Sequence, residues 1–116
     1  MVEAPIDASC LFCQIISGKI PAAVVKQERH YLAIKDINPQ APTHILVIPK
    51  VHVPSIAEFE DTMTLGSLFQ AATKIAKENN LPSFRLVVNT GAQSGQTVHH
   101  LHIHLLSGRA MHWPPG

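Results

Sequence analysis

Histidine recurs at alternate positions near the end of this chain, and this alternation constrains the fold more than any other feature. His100, His102 and His104 stand within residues 98–106, with mainly apolar residues between them. Side chains of a β-strand alternate between the two faces of a sheet, so the pattern predicts a strand with three imidazoles on one face and apolar side chains on the other. A solvated sheet face that is merely rich in histidine is the plain alternative, and a strict period of two over three histidines argues against it.

The spacing of such a strand limits what the imidazoles can do together. At about 3.3–3.4 Å per residue, neighbouring imidazoles have Cα atoms roughly 6.7 Å apart and the outer pair roughly 13 Å apart. Three of them cannot easily close on one metal ion, although a neighbouring pair can. The sequence therefore leaves two interpretations of this face open, metal binding and nucleophilic or acid–base chemistry.

Composition narrows the class of protein. A length of 116 residues predicts one domain, 1–116, with a core of its own. Nine Lys+Arg against eight Asp+Glu give a net charge of +1, and no basic stripe is visible, so extended nucleic acid is not an expected ligand. No signal-like or membrane-spanning segment is visible, so we expect a cytoplasmic protein without membrane attachment. Cys10 and Cys13 form a Cys-x-x-Cys pair, which suits a metal or redox site better than a disulfide framework.

The pattern of elements predicts an α+β fold, with a five-stranded antiparallel sheet and two helices. A short helix is predicted between the N-cap Ser9 and the stop signal Gly18, and a long amphipathic helix begins at Asp61 or Thr62. We expect residues 1–8 to be a flexible terminus and residues 107–116 to form a tail. The predicted helices are 10–17 and 61–80, with a helical turn at 55–60, and the predicted strands are 24–28, 31–37, 43–49, 84–89 and 96–106.

Three segments resemble a known family. Residues 36–44 (DINPQAPTH) and 96–104 (QTVHHLHIH) are similar to those of the histidine-triad (HIT) superfamily. Residues 108–116 (GRAMHWPPG) resemble its Hint branch, the purine nucleoside phosphoramidases. The resemblance runs from about Cys10 to the last residue. It implies the HIT-like fold, dimerisation, and hydrolysis of nucleotides without a catalytic cofactor.

The resemblance assigns the chemistry to histidine. It implies that His102 is the nucleophile that attacks the α-phosphorus and forms a nucleotidyl-histidine intermediate, which water then hydrolyses. Imidazole suits this role because a useful fraction is unprotonated at neutral pH. His104 and His44 match the family's other active-site histidines, which orient the phosphate and help to protonate the leaving group, and their division of labour stays open. Thr97 matches a hydroxyl of the phosphate pocket.

The nucleotide-binding residues follow from the same resemblance. Asp36 matches the carboxylate that accepts hydrogen bonds from the ribose hydroxyls, a task suited to an acceptor-only group. Trp113 is expected near the active site of a partner subunit, which implies a homodimer. The implied phosphate-pocket residues are Asn89, Gly95, Gln96 and Thr97, beside His102 and His104, and the implied nucleobase pocket is formed by Phe12, Ile15, Ile20, Ile34 and Ile37.

The resemblance also implies a structural zinc site. Its expected ligands are Cys10, Cys13, His52 and His100, a closed tetrahedral set that leaves no position for water. The alternative is that both cysteines are small apolar helix residues, since positions i and i+3 share a helix face in either case.

The expected activity is hydrolysis of the P–N bond of purine nucleoside 5′-phosphoramidates, which releases AMP or GMP. Lys35 stands beside Asp36 where the family often has histidine, so the choice between adenosine and guanosine stays open. The alternatives are a dinucleoside polyphosphate hydrolase, a nucleotide-binding scaffold protein with incidental activity, and a hydrolase activated by zinc on the histidine face.

Overall fold

A computed structural model describes residues 7–116, in which five antiparallel strands form one sheet, so the predicted fold class is confirmed. The residues before Asp7, in the predicted flexible terminus 1–8, lie outside the described part, while Asp7 and Ala8 are hydrogen-bonded to the first helix. The elements are α1 (Leu11–Ile16), β1 (Val24–Gln27), β2 (Tyr31–Lys35), β3 (Thr43–Pro49), α2 (Thr62–Glu78), β4 (Arg85–Val87) and β5 (Ile103–Ser107), with short 3₁₀ turns at Ile56–Glu58 and Ala92–Ser94. The strand order in the sheet is β1-β2-β3-β5-β4, so β5 inserts between β3 and β4.

The last strand is shorter than the alternating pattern predicts. It begins at Ile103, so His100 and His102 lie in an extended segment that precedes the strand. The strand starts late because backbone and side-chain groups compete for the same carbonyl acceptors. The carbonyl of Pro49, at the end of β3, accepts a hydrogen bond from the His100 ring, and the Leu101 N–H turns away to Val53 O. The segment keeps the alternation of side chains without the hydrogen-bond ladder of a sheet.

The other boundaries differ by at most two residues, and two of the differences have clear causes. Helix α1 is capped by Cys10 and not by Ser9, since the Cys10 side chain accepts from the Cys13 N–H. Strand β2 ends before Asp36, whose N–H bonds to His44 O and turns the chain into the following loop. The long helix is capped by Asp61 as predicted, and its Oδ1 accepts from the Thr64 N–H.

Both faces of the sheet are covered. Helix α2 packs on one face through Leu68, Ala72 and Ile75, which meet Ile103 and Leu105 of β5 in one apolar cluster. The other face packs against α1 and holds a second cluster, formed by Cys10, Phe12, Cys13, Leu32, Ile34, Leu46 and Ile48. Within residues 7–116, no helix is long and apolar enough to span a bilayer.

Candidate functional site

Two groups of side chains meet on the α1 side of the sheet. The first, which we call the metal cluster, consists of Cys10, Cys13, His52 and His100. His100 Nδ1 lies 3.4 Å from Cys10 Sγ, 3.6 Å from Cys13 Sγ and 3.2 Å from His52 Nδ1. Cys13 Sγ lies 3.3 Å from His52 Nδ1. Four donor atoms from three parts of the chain therefore surround one point.

These separations match the edges of a metal tetrahedron. With Zn–S of about 2.3 Å and Zn–N of about 2.0–2.1 Å, a tetrahedral ion separates S from N by about 3.5 Å and N from N by about 3.3 Å. The observed edges run from 3.2 to 3.6 Å. The donor set thus fits a tetrahedral ion such as zinc, and all four positions are taken by protein atoms.

The hydrogen bonds around the metal cluster leave the correct ring nitrogens free. His100 Nε2 lies 2.8 Å from the carbonyl of Pro49 and must donate to it, so the lone pair is on Nδ1, which faces the thiols. His52 directs Nδ1 to the cluster, and its Nε2 lies 3.9 Å from the Asp7 carboxylate. Burial lowers the pKa of His100 to about 4 and raises the pKa of the Cys13 thiol. A neutral imidazole is the form that binds a metal.

The second group, which we call the triad group, consists of His44, His102 and His104. His102 is 7% exposed, and its Nδ1 lies 2.7 Å from the backbone carbonyl of His100. Because a carbonyl only accepts, His102 Nδ1 carries the proton and Nε2 carries the lone pair. Phe12 packs edge-on against this ring at a centroid distance of 5.0 Å. Burial lowers the pKa of His102, so the neutral ring prevails at pH 7.

His44 and His104 form a hydrogen-bonded pair. The Gln40 N–H donates to His44 Nδ1 at 3.0 Å, which leaves the proton of the neutral His44 ring on Nε2. His44 Nε2 lies 2.8 Å from His104 Nδ1, so His104 accepts there and its own N–H is on Nε2. Burial lowers the pKa of both rings, that of His104 to about 4, while the Asp36 carboxylate, 3.5 Å from His44 Nε2, opposes this shift.

Asp36, His44 and His104 also lie close enough to hold an ion, but their protons disfavour one. Both nitrogens of His44 are engaged, and its Nε2 carries hydrogen. A metal ion would have to displace that proton and leave the ring an anion. The metal cluster needs no such rearrangement in its two histidines. The geometry thus separates a metal-binding group from an acid–base group, and it speaks against a zinc-activated histidine face.

The residues predicted for the nucleobase pocket differ widely in exposure. Phe12 and Ile34 are buried on the α1 side of the sheet, the half-buried Ile15 packs against them, and Ile20 is half-buried. Ile37 is 99% exposed. It follows Asp36, whose Oδ1 accepts from the Asn38 N–H.

Residues predicted for the phosphate pocket have varied surroundings. The Gln96 side chain is buried, and its amide is fully engaged with backbone, since it accepts from Gly91 N–H and donates to the carbonyls of Pro54 and Val98. This side chain braces the loop and is not free to bind a ligand, so only its backbone remains available. Thr97 is exposed, and within residues 7–116 its hydroxyl makes no hydrogen bond to an imidazole.

Gly95 adopts a positive φ of 98°, and a side chain there would approach the Asn89 amide at 3.5 Å. Asn89 and Gly95 are therefore neighbours, as one pocket wall requires. The Trp113 side chain is 84% exposed in the tail.

Sequence reasoning missed three supporting residues. Asp7 lies beside His52, Gln40 bonds to His44, and Arg109 bonds to Gln40. Gln40 and Arg109 both fall in segments that the sequence singled out, but no pattern in the sequence indicates that they meet, because 69 positions separate them.

Comparison with known proteins agrees with this geometry. The model of the HIT domain family matches residues 17–111. A 14 kDa zinc-binding protein of Zea mays is 45% identical over 115 residues, which cover 95% of this chain and 90% of that protein. Adenylylsulfatase HINT1 of Arabidopsis thaliana is 44% identical over 121 aligned positions, which cover 100% of this chain and 82% of that protein.

Among solved structures, a HIT family hydrolase from Legionella pneumophila Philadelphia 1 superposes with a TM-score of 0.90 at 46% identity. The match covers 93% of this chain and 100% of that chain. Sequence and fold therefore agree over nearly the whole length, and the chain belongs to the HIT domain family.

Proposed function

We propose that this protein hydrolyses the P–N bond of purine nucleoside 5′-phosphoramidates and releases the nucleoside monophosphate. The observation that carries the proposal is the state of His102. Its Nδ1–H donates to the His100 carbonyl at 2.7 Å, which leaves a neutral, buried ring with its lone pair on Nε2. The His102 ring lies beside His104 of the His44–His104 pair. A nucleophile of this kind needs no general base, because the attacking nitrogen is already unprotonated.

In the first step, His102 Nε2 attacks the α-phosphorus while the bond from phosphorus to the leaving nitrogen breaks. The leaving nitrogen takes the electron pair and needs one proton. His44 donates its Nε2–H to His104, so the N–H of the pair that is free to face a ligand is His104 Nε2. We therefore assign the donor role to His104 and the supporting role to His44.

The extra proton is brought in by substrate binding. Burial keeps the pKa of His104 at about 4 in the free protein, so the pair is neutral at pH 7. An anionic phosphoryl group nearby favours the charged imidazolium and raises the pKa of His104, so the extra proton enters at His104 Nδ1 and displaces the hydrogen bond from His44 Nε2. The protonated pair then gives its proton to the leaving amine. In the second step, water attacks phosphorus, its proton goes to the neutral pair, and the bond to His102 breaks.

Binding of the nucleotide is assigned to the surrounding residues. The Asp36 carboxylate is the acceptor for the ribose hydroxyls, and Phe12 and Ile34, with Ile15, Ile20 and Ile37, form an apolar wall suited to a purine. Backbone of the 95–97 segment and the side chains of Asn89 and Thr97 face the phosphate. Trp113 is assigned to the active site of the second copy in a homodimer. We place the protein in the cytoplasm.

The metal cluster is assigned to structural zinc. Its ligands Cys10, Cys13, His52 and His100 would fill a tetrahedron and leave no site for water, so a bound ion would cross-link α1 to the segments that follow β3 and precede β5 and would supply no chemistry. The relative from Zea mays that is named a zinc-binding protein supports this assignment.

The test is release of AMP from adenosine 5′-phosphoramidate by the purified protein. A diadenosine polyphosphate and adenylyl sulfate serve as competing substrates, the latter because the Arabidopsis relative is named an adenylylsulfatase. The control is His102→Ala, which removes the attacking nitrogen. We expect the phosphoramidate to be the preferred substrate and the variant to be inactive on it.

Other results would select among the alternatives. Preference for the diadenosine polyphosphate would make the protein a dinucleoside polyphosphate hydrolase, and preference for adenylyl sulfate would make it an adenylylsulfatase. Nucleotide binding with negligible turnover of all three would indicate a scaffold protein. Turnover that survives in His102→Ala would contradict the mechanism whatever the substrate.

A further inference from the structure

The loop that leads to His44 is tied to the C-terminal tail by one arginine. Arg109 Nε donates to the carbonyl of Gln40 at 2.8 Å, and the N–H of the same Gln40 donates to His44 Nδ1 at 3.0 Å. The backbone of Gln40 is therefore bonded on one side to the tail and on the other side to an imidazole of the triad group. A change at Arg109 can reach His44 through a single residue.

The Gln40 N–H decides where the proton of His44 sits. As long as Nδ1 accepts from that N–H, the neutral ring must carry its proton on Nε2, and Nε2 is the atom that lies 2.8 Å from His104 Nδ1. If Gln40 moved away, Nδ1 would be free to carry the proton as well, and only the Asp36 carboxylate, 3.5 Å from Nε2, would still favour the proton on Nε2. The ring would then present its lone pair to His104 part of the time, and the hydrogen bond from His44 Nε2 to His104 Nδ1 would no longer have a fixed direction.

Few other hydrogen bonds hold Gln40 in place, although the neighbouring Ala41 is buried. Residues 36–42 lie between β2 and β3, and Pro39 and Pro42 have no N–H to donate. The other side-chain bonds run within the loop, since the Gln40 side chain donates to Asn38 O and the Asn38 N–H donates to Asp36 Oδ1. The bond from Arg109 instead reaches Gln40 from a different part of the chain.

The tail is shaped to deliver this arginine. Gly108 has a φ of +100°, and an added Cβ would lie 2.9 Å from Pro42 Cβ, closer than real side chains pack. A residue without a side chain thus lets the backbone cross directly over Pro42 at the point where the next residue must reach Gln40. Arg109 is further fixed by a bond from Nη1 to Ala110 O at 3.0 Å.

We propose that Arg109 is a positioning residue, which holds Gln40 so that His44 keeps its proton on Nε2 and presents it to His104. Arg109 acts through Gln40 and does not touch the reacting atoms. Its effect on rate rests on the proposed function, whereas its effect on His44 does not.

The experiment compares Arg109→Met with wild type in two measurements. Long-range ¹H–¹⁵N correlation NMR of the histidine rings, assigned with His44→Gln, reports which nitrogen of His44 carries the proton. Steady-state kinetics on adenosine 5′-phosphoramidate reports kcat and KM separately. The matched control is Arg85→Met, which removes another bond from an arginine to the tail, from Nη2 to His112 O at 3.1 Å, without touching Gln40.

We expect wild type and Arg85→Met to show His44 protonated on Nε2 only, and Arg109→Met to show a mixture of the two forms. In Arg109→Met, kcat should fall roughly tenfold with KM nearly unchanged, the size expected for one lost charge-assisted hydrogen bond. An unchanged His44 proton position in Arg109→Met would overturn the proposal, even if the rate fell. If wild type did not hydrolyse the phosphoramidate, the proposed function would fail, and the NMR comparison would still decide the role of Arg109.

Discussion

His100 and His102 stand two residues apart, and each donates one ring N–H to a backbone carbonyl, but they donate from opposite nitrogens. His100 donates from Nε2 to Pro49 and turns Nδ1 to the thiols, whereas His102 donates from Nδ1 to His100 and leaves Nε2 free. The position of the acceptor thus assigns the lone pair. Two chemically identical side chains acquire different roles because the backbone around them offers its oxygens in different places.

The largest expected effect is on activity, and it distinguishes the triad group from the metal cluster. His102→Ala should lower kcat/KM by about a thousandfold or more, because it removes the attacking atom. Its metal content, measured by atomic absorption, should equal that of wild type. His52→Ala should show the reverse, with metal lost and the triad group still in place. Loss of metal in His102→Ala would show that the two groups are not separable.

The next effect concerns stability. Cys10→Ser keeps an oxygen at the N-cap of α1 but offers a poor zinc ligand, so it should lower the free energy of unfolding of the metal-loaded protein by about 3 kcal/mol or more. Chemical denaturation with and without added zinc measures this difference. Cys10→Ala should cost about 1 kcal/mol beyond the serine variant, since it loses the cap as well. Equal stability of wild type with and without zinc would contradict a structural ion.

The third effect is the pH dependence of stability in metal-free protein, which should report on His104 of the triad group. The pKa of His104 is about 4 in the folded protein, below its ordinary value of 6.5, so the unfolded chain binds a proton that the folded chain does not. Protonation of His104 in the unfolded chain therefore leaves the free energy of unfolding unaffected above pH 6.5 and lowers it by about 2–3 kcal/mol as the pH falls towards 4. In chelator, His104→Gln should flatten the pH dependence of unfolding by that amount. The exposed His99→Gln is the control, and an equal change there would refute the assignment.

The smallest expected effect lies at the edge of the metal cluster. Asp7→Asn keeps the Oδ1 that accepts from Ser9 but removes the charge 3.9 Å from His52 Nε2. Because Asp7 is exposed, the change should weaken zinc binding only about threefold, less than the roughly 10–100-fold typical for loss of a group that orients a metal ligand. Competition with a chelator measures the affinity, and the exposed Glu60→Gln gives the background. A loss above tenfold would mean that Asp7 holds His52 more firmly than its distance indicates.

The parts of the fold with strong local signals were predictable. Strand β3 was predicted with its observed bounds, since Thr43–Pro49 is an apolar run bordered by proline and is buried almost throughout. The alternation at His100–His104 predicted correctly which side chains share a face but not where the strand begins. That boundary depends on which group takes the Pro49 carbonyl, and a histidine ring took it.

Contacts between distant residues were the part that sequence patterns could not supply. Gln96 looked like a ligand-binding residue in a glycine-containing loop, yet its amide satisfies three backbone groups. Ser9 looked like the cap of α1, but the neighbouring thiol fills that role. Such outcomes depend on which partner is nearest in space, and a linear pattern does not encode that distance.

The short pairing between β3 and β5, from Thr43↔Ser107 to Val47↔Ile103, has a consequence for how this protein can vary. A deletion of one residue between His100 and His104 would exchange the two faces of the segment ahead of it. Imidazoles would then enter the apolar cluster beneath α2, and leucine would take the place of an imidazole on the α1 side of the sheet. The length of this stretch is therefore fixed, and relatives or library variants that keep either chemistry should show conservative apolar substitutions between the histidines but no single-residue gaps.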